Sequence, residues 1–414
     1  IFMKDLKKQK LFNYFKSIEI DLLPVLIDMQ FNGIFIDKDY LENRSNEIGK
    51  KIESLESEII DLAGEEFNLN SSQQLAVILF DKLKLPMIKK RSTAEAVLSE
   101  LKDKHPLPEL ILSYRKLYKL KNTYLDPLPS YIISDTQRVH SSFNQTMTAT
   151  GRLSTSSPNF QNIPIRTEDG KEIRKAIKAQ SNEYQIFSAD YSQVELRVMA
   201  HLSGDASLIS ALNNGEDIHT FTAKNIFNVD NDDMVLPEMR RIAKIVNFGI
   251  MYGAGPFRLS QELDIPFGEA KQIKDAYFNK YKGIEEYIEN SKLQIKETKS
   301  VETLLGRKRA VWDSDSQNKI RRDAAERMAI NMPIQGTAAE MIKLAMIKIH
   351  RQMNKENLKS KLIMQIHDEL LLEVHQDEID YISKMVTEHM RDAMKLDVPI
   401  EIDFGVGPSW YEAH

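Results

Sequence analysis

Residues 237–253, Pro-Glu-Met-Arg-Arg-Ile-Ala-Lys-Ile-Val-Asn-Phe-Gly-Ile-Met-Tyr-Gly, constrain this chain more than any other stretch. Arg240, Lys244, Phe248 and Tyr252 recur every four residues, which on an α-helix stacks them along one slowly drifting stripe. Pro237 suits a first helical turn and Gly253 the position just past the end. The two cations then stand near the N-terminus, where the helix dipole already favours anions, and the rings follow along the same face. Such a helix can hold a polyphosphate at one end and stack a base at the other. An amphipathic helix with a solvated basic first turn would share the Arg-x-x-x-Lys spacing. The aromatic continuation, and two carboxylate motifs elsewhere, favour the ligand-binding reading.

The 414 residues suffice for two or three packed subdomains. Hydrophobic residues at 42% and charged ones at 28% are ordinary for a soluble globular protein. No apolar run approaches a membrane span and no cleavable signal is visible, so no membrane partner is expected. Ile1 at the first position reads as a fragment of a longer chain. Zero cysteines exclude disulfides and thiolate zinc sites and fit a reducing compartment. The net charge of −5 does not single out a nucleic-acid binder. Residues 82–121, however, carry eleven Lys or Arg against four acids, which fits a phosphate backbone or a solvated helical face equally.

In chain order, 18–31 reads as a helix and Ile34-Phe35-Ile36 as a short strand. Asp37 or Asp39 can cap a long helix closed by Gly64, whose Ile48, Ile52, Leu55, Ile59 and Leu62 form a seam. Leu110, Tyr114 and Leu117 of a helix at 107–124 offer the matching seam. Ser71-x-x-Gln74 and Ser92-x-x-Glu95 read as capping boxes. Residues 138–166 read as polar loop, 184–189 as a strand ending at Asp190, and 206–300 as mainly helical. A helical block at 316–352 is expected to be interrupted at 331–336. Residues 362–366 and 370–374 form a hairpin around His367-Asp368-Glu369, followed by a helix at 377–395 and a strand near 399–404.

Asp190 at a strand end and Asp368 at a hairpin tip meet if their strands share one sheet. Hard oxygen ligands of this kind suit Mg²⁺ held with substrate phosphates, and two such ions can serve nucleotidyl transfer. With the 237–253 helix, these motifs resemble the family A DNA polymerases, the bacterial DNA polymerase I type, over essentially the whole chain. Asp190-Tyr191-Ser192-Gln193-x-Glu195-Leu196-Arg197 is similar to the family's motif A, Arg240 through Gly253 to motif B, and His367-Asp368-Glu369 to motif C. Thr150-Gly151-Arg152-Leu153-Ser154, Gln161-Asn162-Ile163-Pro164 and Pro333-x-Gln335-Gly336-Thr337 are similar to further family signatures.

The resemblance implies an α+β right-hand fold with an antiparallel palm sheet and helical fingers and thumb. It divides the chain into 1–37 as an N-terminal part of the palm, 38–125 as thumb, and 126–200 as palm with motif A. Residues 201–315 would be fingers and 316–414 palm with motif C. It implies template-directed addition of dNTPs to a primer 3′-OH through two Mg²⁺ ions, with Mn²⁺ as a substitute. Asp190, Asp368 and the Tyr191 carbonyl would hold the metals, with Glu369 nearby. Arg240, Lys244 and His219 would face the triphosphate, and Lys244 would protonate departing pyrophosphate. Phe248 would stack on the incoming nucleotide, Gln193 and Glu195 would lie beside it, and Tyr252 with Gly253 would line the template-base pocket. Arg152, Gln335 and His367 would contact the primer terminus or minor groove, and Gln161 and Asn162 the duplex. The implied protein is a monomer bound to primer–template DNA, cytoplasmic and nucleoid-associated, with organellar or phage origin open. No segment resembles a 3′→5′ exonuclease, so proofreading is not expected of this chain. A single-subunit RNA polymerase is the nearest rival, against which Glu195 stands as a barrier to a ribose 2′-OH. A non-enzymatic nucleic-acid binder would need no paired aspartates.

Overall fold

The computed structural model describes residues 2–163 and 168–414. Pro164 of the Gln161–Pro164 signature lies outside the described residues. The fold is α+β, and it divides into two compact units.

The smaller unit comprises Asn32–Ser142, Ser156–Ile186 and Val406–His414. Its main helix, Lys38–Ala63, starts where the Asp37 carboxylate accepts the Tyr40 N–H at 2.9 Å and ends at Gly64, φ 72°. Of the expected seam Ile48, Ile52 and Ile59 are buried and Leu55 and Leu62 half-buried, and this helix packs on Leu107–Leu120. The partner stripe differs from the expected Leu110–Tyr114–Leu117. The buried positions are Leu107, Pro108, Ile111, Tyr114 and Leu120, with Leu110 and Leu117 only half-buried. A 14-residue helix can rotate by one position without losing its apolar stripe, so the pattern alone does not fix the rotation.

Ser71 caps its helix, accepting the Gln74 N–H at 3.3 Å, while the Gln74 side chain accepts from Asn68 N–H. Ser92 does not cap. The helix there opens at Glu95 after Ala94, and Ser92 Oγ accepts the Ala94 N–H in the preceding turn. In the basic segment, Arg91 pairs with Asp81 through two 2.6 Å bonds and Lys121 with Asp126 at 2.9 Å. Arg115 donates to the Thr93 carbonyl at 2.6 Å. Part of that positive charge is therefore structural.

The larger unit comprises Ile1–Phe31, Phe143–Thr155 and Phe187–Gly405. A four-stranded sheet, most of it in this unit, runs in the order Ile402–Gly407, Tyr184–Tyr191, Glu369–His375, Lys361–Ile366. Ile186–Ala189 and Leu370–Val374 are buried at successive positions, so both sheet faces are covered. Lys361–Ile366 and Glu369–His375 pair antiparallel with Ile366 opposite Glu369. The hairpin loop is thus two residues, His367-Asp368, not three, and Glu369 is the first strand residue. His367 supplies the left-handed φ of 54° that so tight a turn needs.

Six α-helices lie between Ala206 and Thr298, among them Ile218–Phe227 and Pro237–Met251, which pack on each other. The expected break at 331–336 is absent: Lys319–Glu356 is one 38-residue helix with Pro333 inside it. Proline removes one backbone hydrogen bond there. The Tyr287 hydroxyl donates to the Ile330 carbonyl at 3.2 Å, and Ala329, Met332 and Ile334 are buried alongside. Packing therefore holds the helix where propensity would end it. Among the described residues no helix is long and apolar enough to cross a membrane.

Candidate active site

Tyr184–Tyr191 carries Ser188 and Asp190 two residues apart, hence on the same face of the strand. The Tyr191 N–H donates to the Asp368 carbonyl at 3.3 Å, bringing the hairpin turn beside the end of this strand. Ser188 Oγ donates to Glu369 Oε1 at 2.5 Å, which fixes that buried carboxylate. Burial raises the proton affinity of Asp190, and the negative charges of Asp368, Glu369 and Asp403 raise it further. Asp368 is raised as well, chiefly by burial.

Asp190 Oδ1 is buried with no hydrogen-bond partner. A place that raises proton affinity and leaves a carboxylate oxygen unpaired equally favours a bound cation. Among the described residues no three His, Asp or Glu side chains converge to enclose a metal. Two carboxylates, with water and substrate phosphate completing the shell, are a fitting set for Mg²⁺.

The Pro237–Met251 helix forms as its spacing requires, with Tyr252 at its C-terminal cap and Gly253 at φ 69° beyond. A Cβ on Gly253 would lie 2.9 Å from Arg327 Cγ, so the position demands glycine twice over. Arg240 grips Asp217 with two bonds of 3.1 and 2.7 Å. Asp217 also caps Ile218–Phe227, accepting the Thr220 N–H at 2.7 Å. Burial alone would raise its pKa, but these donors outweigh it and hold it down to about 2. Lys244 is exposed. His219 sits on the neighbouring helix, its ring 5.8 Å from that of Phe248. Burial, aided by Arg240 and Lys244 and opposed by Asp217, brings its pKa down to about 4, so the ring is neutral near pH 7.

Glu195 opens the Val194–Ser203 helix, which follows Gln193 at φ 51°. It is buried, ion-paired with Arg152, and accepts the Tyr252 hydroxyl at 2.7 Å. Gln335 lies within reach of the same Tyr252 hydroxyl. His367 is exposed at the hairpin turn. The larger unit thus holds every anticipated site residue except Gln161 and Asn162. Those two form a Phe160–Asn162 turn of the smaller unit, capped by Asn159. There the Tyr124 hydroxyl donates to the Asn162 carbonyl.

Sequence reading missed Asp217 as the partner of Arg240, Asn247 as the partner of His219, and Asp403 as a third charge near Asp190. Only Asp217 left a local signal, the Asp-x-x-Thr spacing of a helix cap.

Comparison with known proteins gives this arrangement its class. The POL domain of Pol1 from M. smegmatis, solved in complex with DNA primer-template and dNTP, superposes with a TM-score of 0.95 at 40% identity. That match covers 99% of this chain and 73% of the other. The family model for DNA polymerase family A matches residues 38–412, and the chain belongs to that family. It is 44% identical to DNA polymerase I of Bacillus subtilis (strain 168), over 99% of this chain and 47% of the relative. It is 47% identical to the thermostable DNA polymerase I of Thermus filiformis, over 98% of this chain and 49% of the relative. The chain thus spans about half the length of the curated relatives it matches.

Proposed function

We propose that the chain is a DNA-directed DNA polymerase that extends a primer 3′-OH on a template with dNTPs, releasing pyrophosphate. The observation that carries this reading is the pair Asp190 and Asp368, on neighbouring elements of one sheet, with an unpaired buried oxygen on Asp190. The two carboxylates and the Tyr191 carbonyl would hold two Mg²⁺ ions, which when bound supply Lewis-acid activation of the primer hydroxyl and charge stabilisation at the leaving group.

The chain's own residues do the rest. Arg240, Lys244 and His219 bind the triphosphate, with Arg240 exchanging Asp217 for phosphate oxygens. Lys244 delivers a proton to the departing pyrophosphate. Phe248 stacks on the incoming nucleotide, and Glu195, held by Arg152 and Tyr252, fills the space a ribose 2′-OH would need. In this reading 38–125 is the thumb, 201–315 the fingers, and 1–37, 126–200 and 316–414 the palm. Gln161, Asn162, Gln335 and His367 contact DNA.

Asp190→Asn and Asp368→Asn each test the reading in primer extension with Mg²⁺. Each should lower kcat by about a hundredfold or more, because neutralising a ligand removes charge stabilisation at the reacting phosphate. Primer–template affinity by gel shift should be unchanged. Extension near the wild-type rate in either variant would overturn the assignment. Incorporation of rNTPs in preference to dNTPs would move the chain to RNA synthesis.

A further inference from the structure

Behind His219 lies a chain of polar side chains. The Asn247 side-chain amide faces His219 Nδ1 at 3.0 Å. Thr222 Oγ1 meets Asn247 Oδ1 at 3.2 Å and the Tyr281 hydroxyl at 2.8 Å. His219, Asn247, Thr222 and Tyr281 are 3%, 1%, 0% and 1% exposed, so water does not satisfy these groups and the protons must be shared among them.

Two directions of donation are conceivable. In one, Tyr281 donates to Thr222, Thr222 to Asn247 Oδ1, and Asn247 Nδ2 to His219 Nδ1. In the reverse, His219 Nδ1–H donates to the amide oxygen, and the chain ends on Tyr281. In the reverse the amide donates to Thr222 Oγ1, and the Thr222 and Tyr281 hydroxyls have only each other left as acceptors, so one of their two hydrogens has no acceptor among the described residues. A buried unsatisfied donor costs about 1–3 kcal/mol, enough to decide the direction. The forward direction makes Nδ1 an acceptor and puts the ring hydrogen on Nε2. Around the ring stand Asp217, Arg240 and Lys244.

We propose that Asn247 is a positioning residue whose amide holds His219 in the Nε2–H tautomer, so that the ring presents a fixed donor to a nucleoside triphosphate. The proposal rests on reading His219 as a triphosphate ligand. It explains how a neutral imidazole serves there: the donor is set by the relay behind it, not by protonation. Thr222 in turn fixes which way the amide faces.

The test has a readout that needs no nucleotide. In the full chain labelled with ¹⁵N-histidine, long-range ¹H–¹⁵N spectra report which ring nitrogen carries hydrogen, and His219→Gln assigns the signals. Wild type should carry it on Nε2. In Asn247→Asp the carboxylate can only accept, so hydrogen should move onto Nδ1. The KM for dTTP on a primer–template should then rise about tenfold or more, with DNA affinity unchanged. Thr222→Val keeps the volume but frees the amide, and should give signals of both tautomers. This second variant serves should the buried aspartate prevent folding. Wild-type hydrogen on Nδ1, or ring signals that neither variant moves, would overturn the proposal. Moved signals with an unchanged KM would uphold the tautomer assignment and remove His219 from the nucleotide site.

Discussion

Phe248 lies half-buried against His219 and presents a ring without a hydroxyl. If the incoming nucleotide stacks there, its own 3′-OH is the group left to hydrogen-bond its phosphate oxygens. A dideoxynucleotide lacks that group and leaves a charged acceptor unsatisfied. Hydrogen bonds to charged groups contribute roughly 1.5–3 kcal/mol, so discrimination against it should be about ten- to two-hundredfold. Phe248→Tyr restores a donor and should bring the ratio close to one. The comparison is kcat/KM for dTTP and its dideoxy analogue in both proteins, and equal discrimination in both would take Phe248 out of the site. This residue was legible because helical periodicity is local: Arg240, Lys244, Phe248 and Tyr252 mark their shared face by spacing alone. Asn247, one position away, was not. Its partners His219 and Thr222 are 28 and 25 residues distant, and no short-range pattern encodes which buried amide meets which ring.

At the scale of elements, the helix around Pro333 shows where local reading fails and why. Proline and glycine three residues apart argue for a break, yet Lys319–Glu356 runs through both. Gly336 is there for closeness. A Cβ would stand 2.5 Å from Thr303 Cγ2 and 3.2 Å from the Thr150 carbonyl oxygen. In an open helix Gly→Ala stabilises by roughly 1 kcal/mol, whereas overpacking costs about 1–3 kcal/mol. Gly336→Ala should therefore destabilise in urea unfolding. Adding Thr303→Ser, which removes the nearer obstacle and keeps the hydroxyl, should recover part of the loss. A more stable Gly336→Ala would mean that the glycine is dispensable. The hairpin and the Pro237–Met251 helix were legible because apolar runs and end residues agreed with the packing. The Pro333 helix was not, because burial against distant segments outweighs local propensity.

At the scale of the whole molecule, one buried cluster joins three distant parts of the larger unit. Glu19 accepts from Tyr14 at 3.2 Å, Arg307 at 2.9 Å and Lys343 at 2.9 Å, while Thr303 donates to Glu340. Both cations thus bond to Glu19, and Glu340 is left with neutral donors, the Thr303 and Tyr14 hydroxyls and the Leu305 N–H. Burial pushes its pKa from 4.5 up to about 7 against the pull of the Thr303 hydroxyl, the Leu305 N–H, the Tyr14 hydroxyl and the Arg307 charge. A carboxyl that holds its proton more tightly when folded stabilises the fold fully below the unfolded pKa. That contribution is lost as pH rises through the folded one. Across that window it amounts to about 3 kcal/mol at most. His219 has the opposite sign. Its pKa is lowered from 6.5 to about 4, so it favours folding increasingly as pH rises between those values. The two slopes oppose each other in the intact protein and conceal both. Glu340→Gln keeps an acceptor for Thr303 and removes only the Glu340 titration. The stability of the variant minus that of wild type, from urea unfolding at pH steps, should climb from pH 4.5 to 7 and level off above. His219 is common to both proteins and drops out of the difference. A difference that stays flat across this range would mean that Glu340 is ionised in the folded protein, sharing the two cations with Glu19.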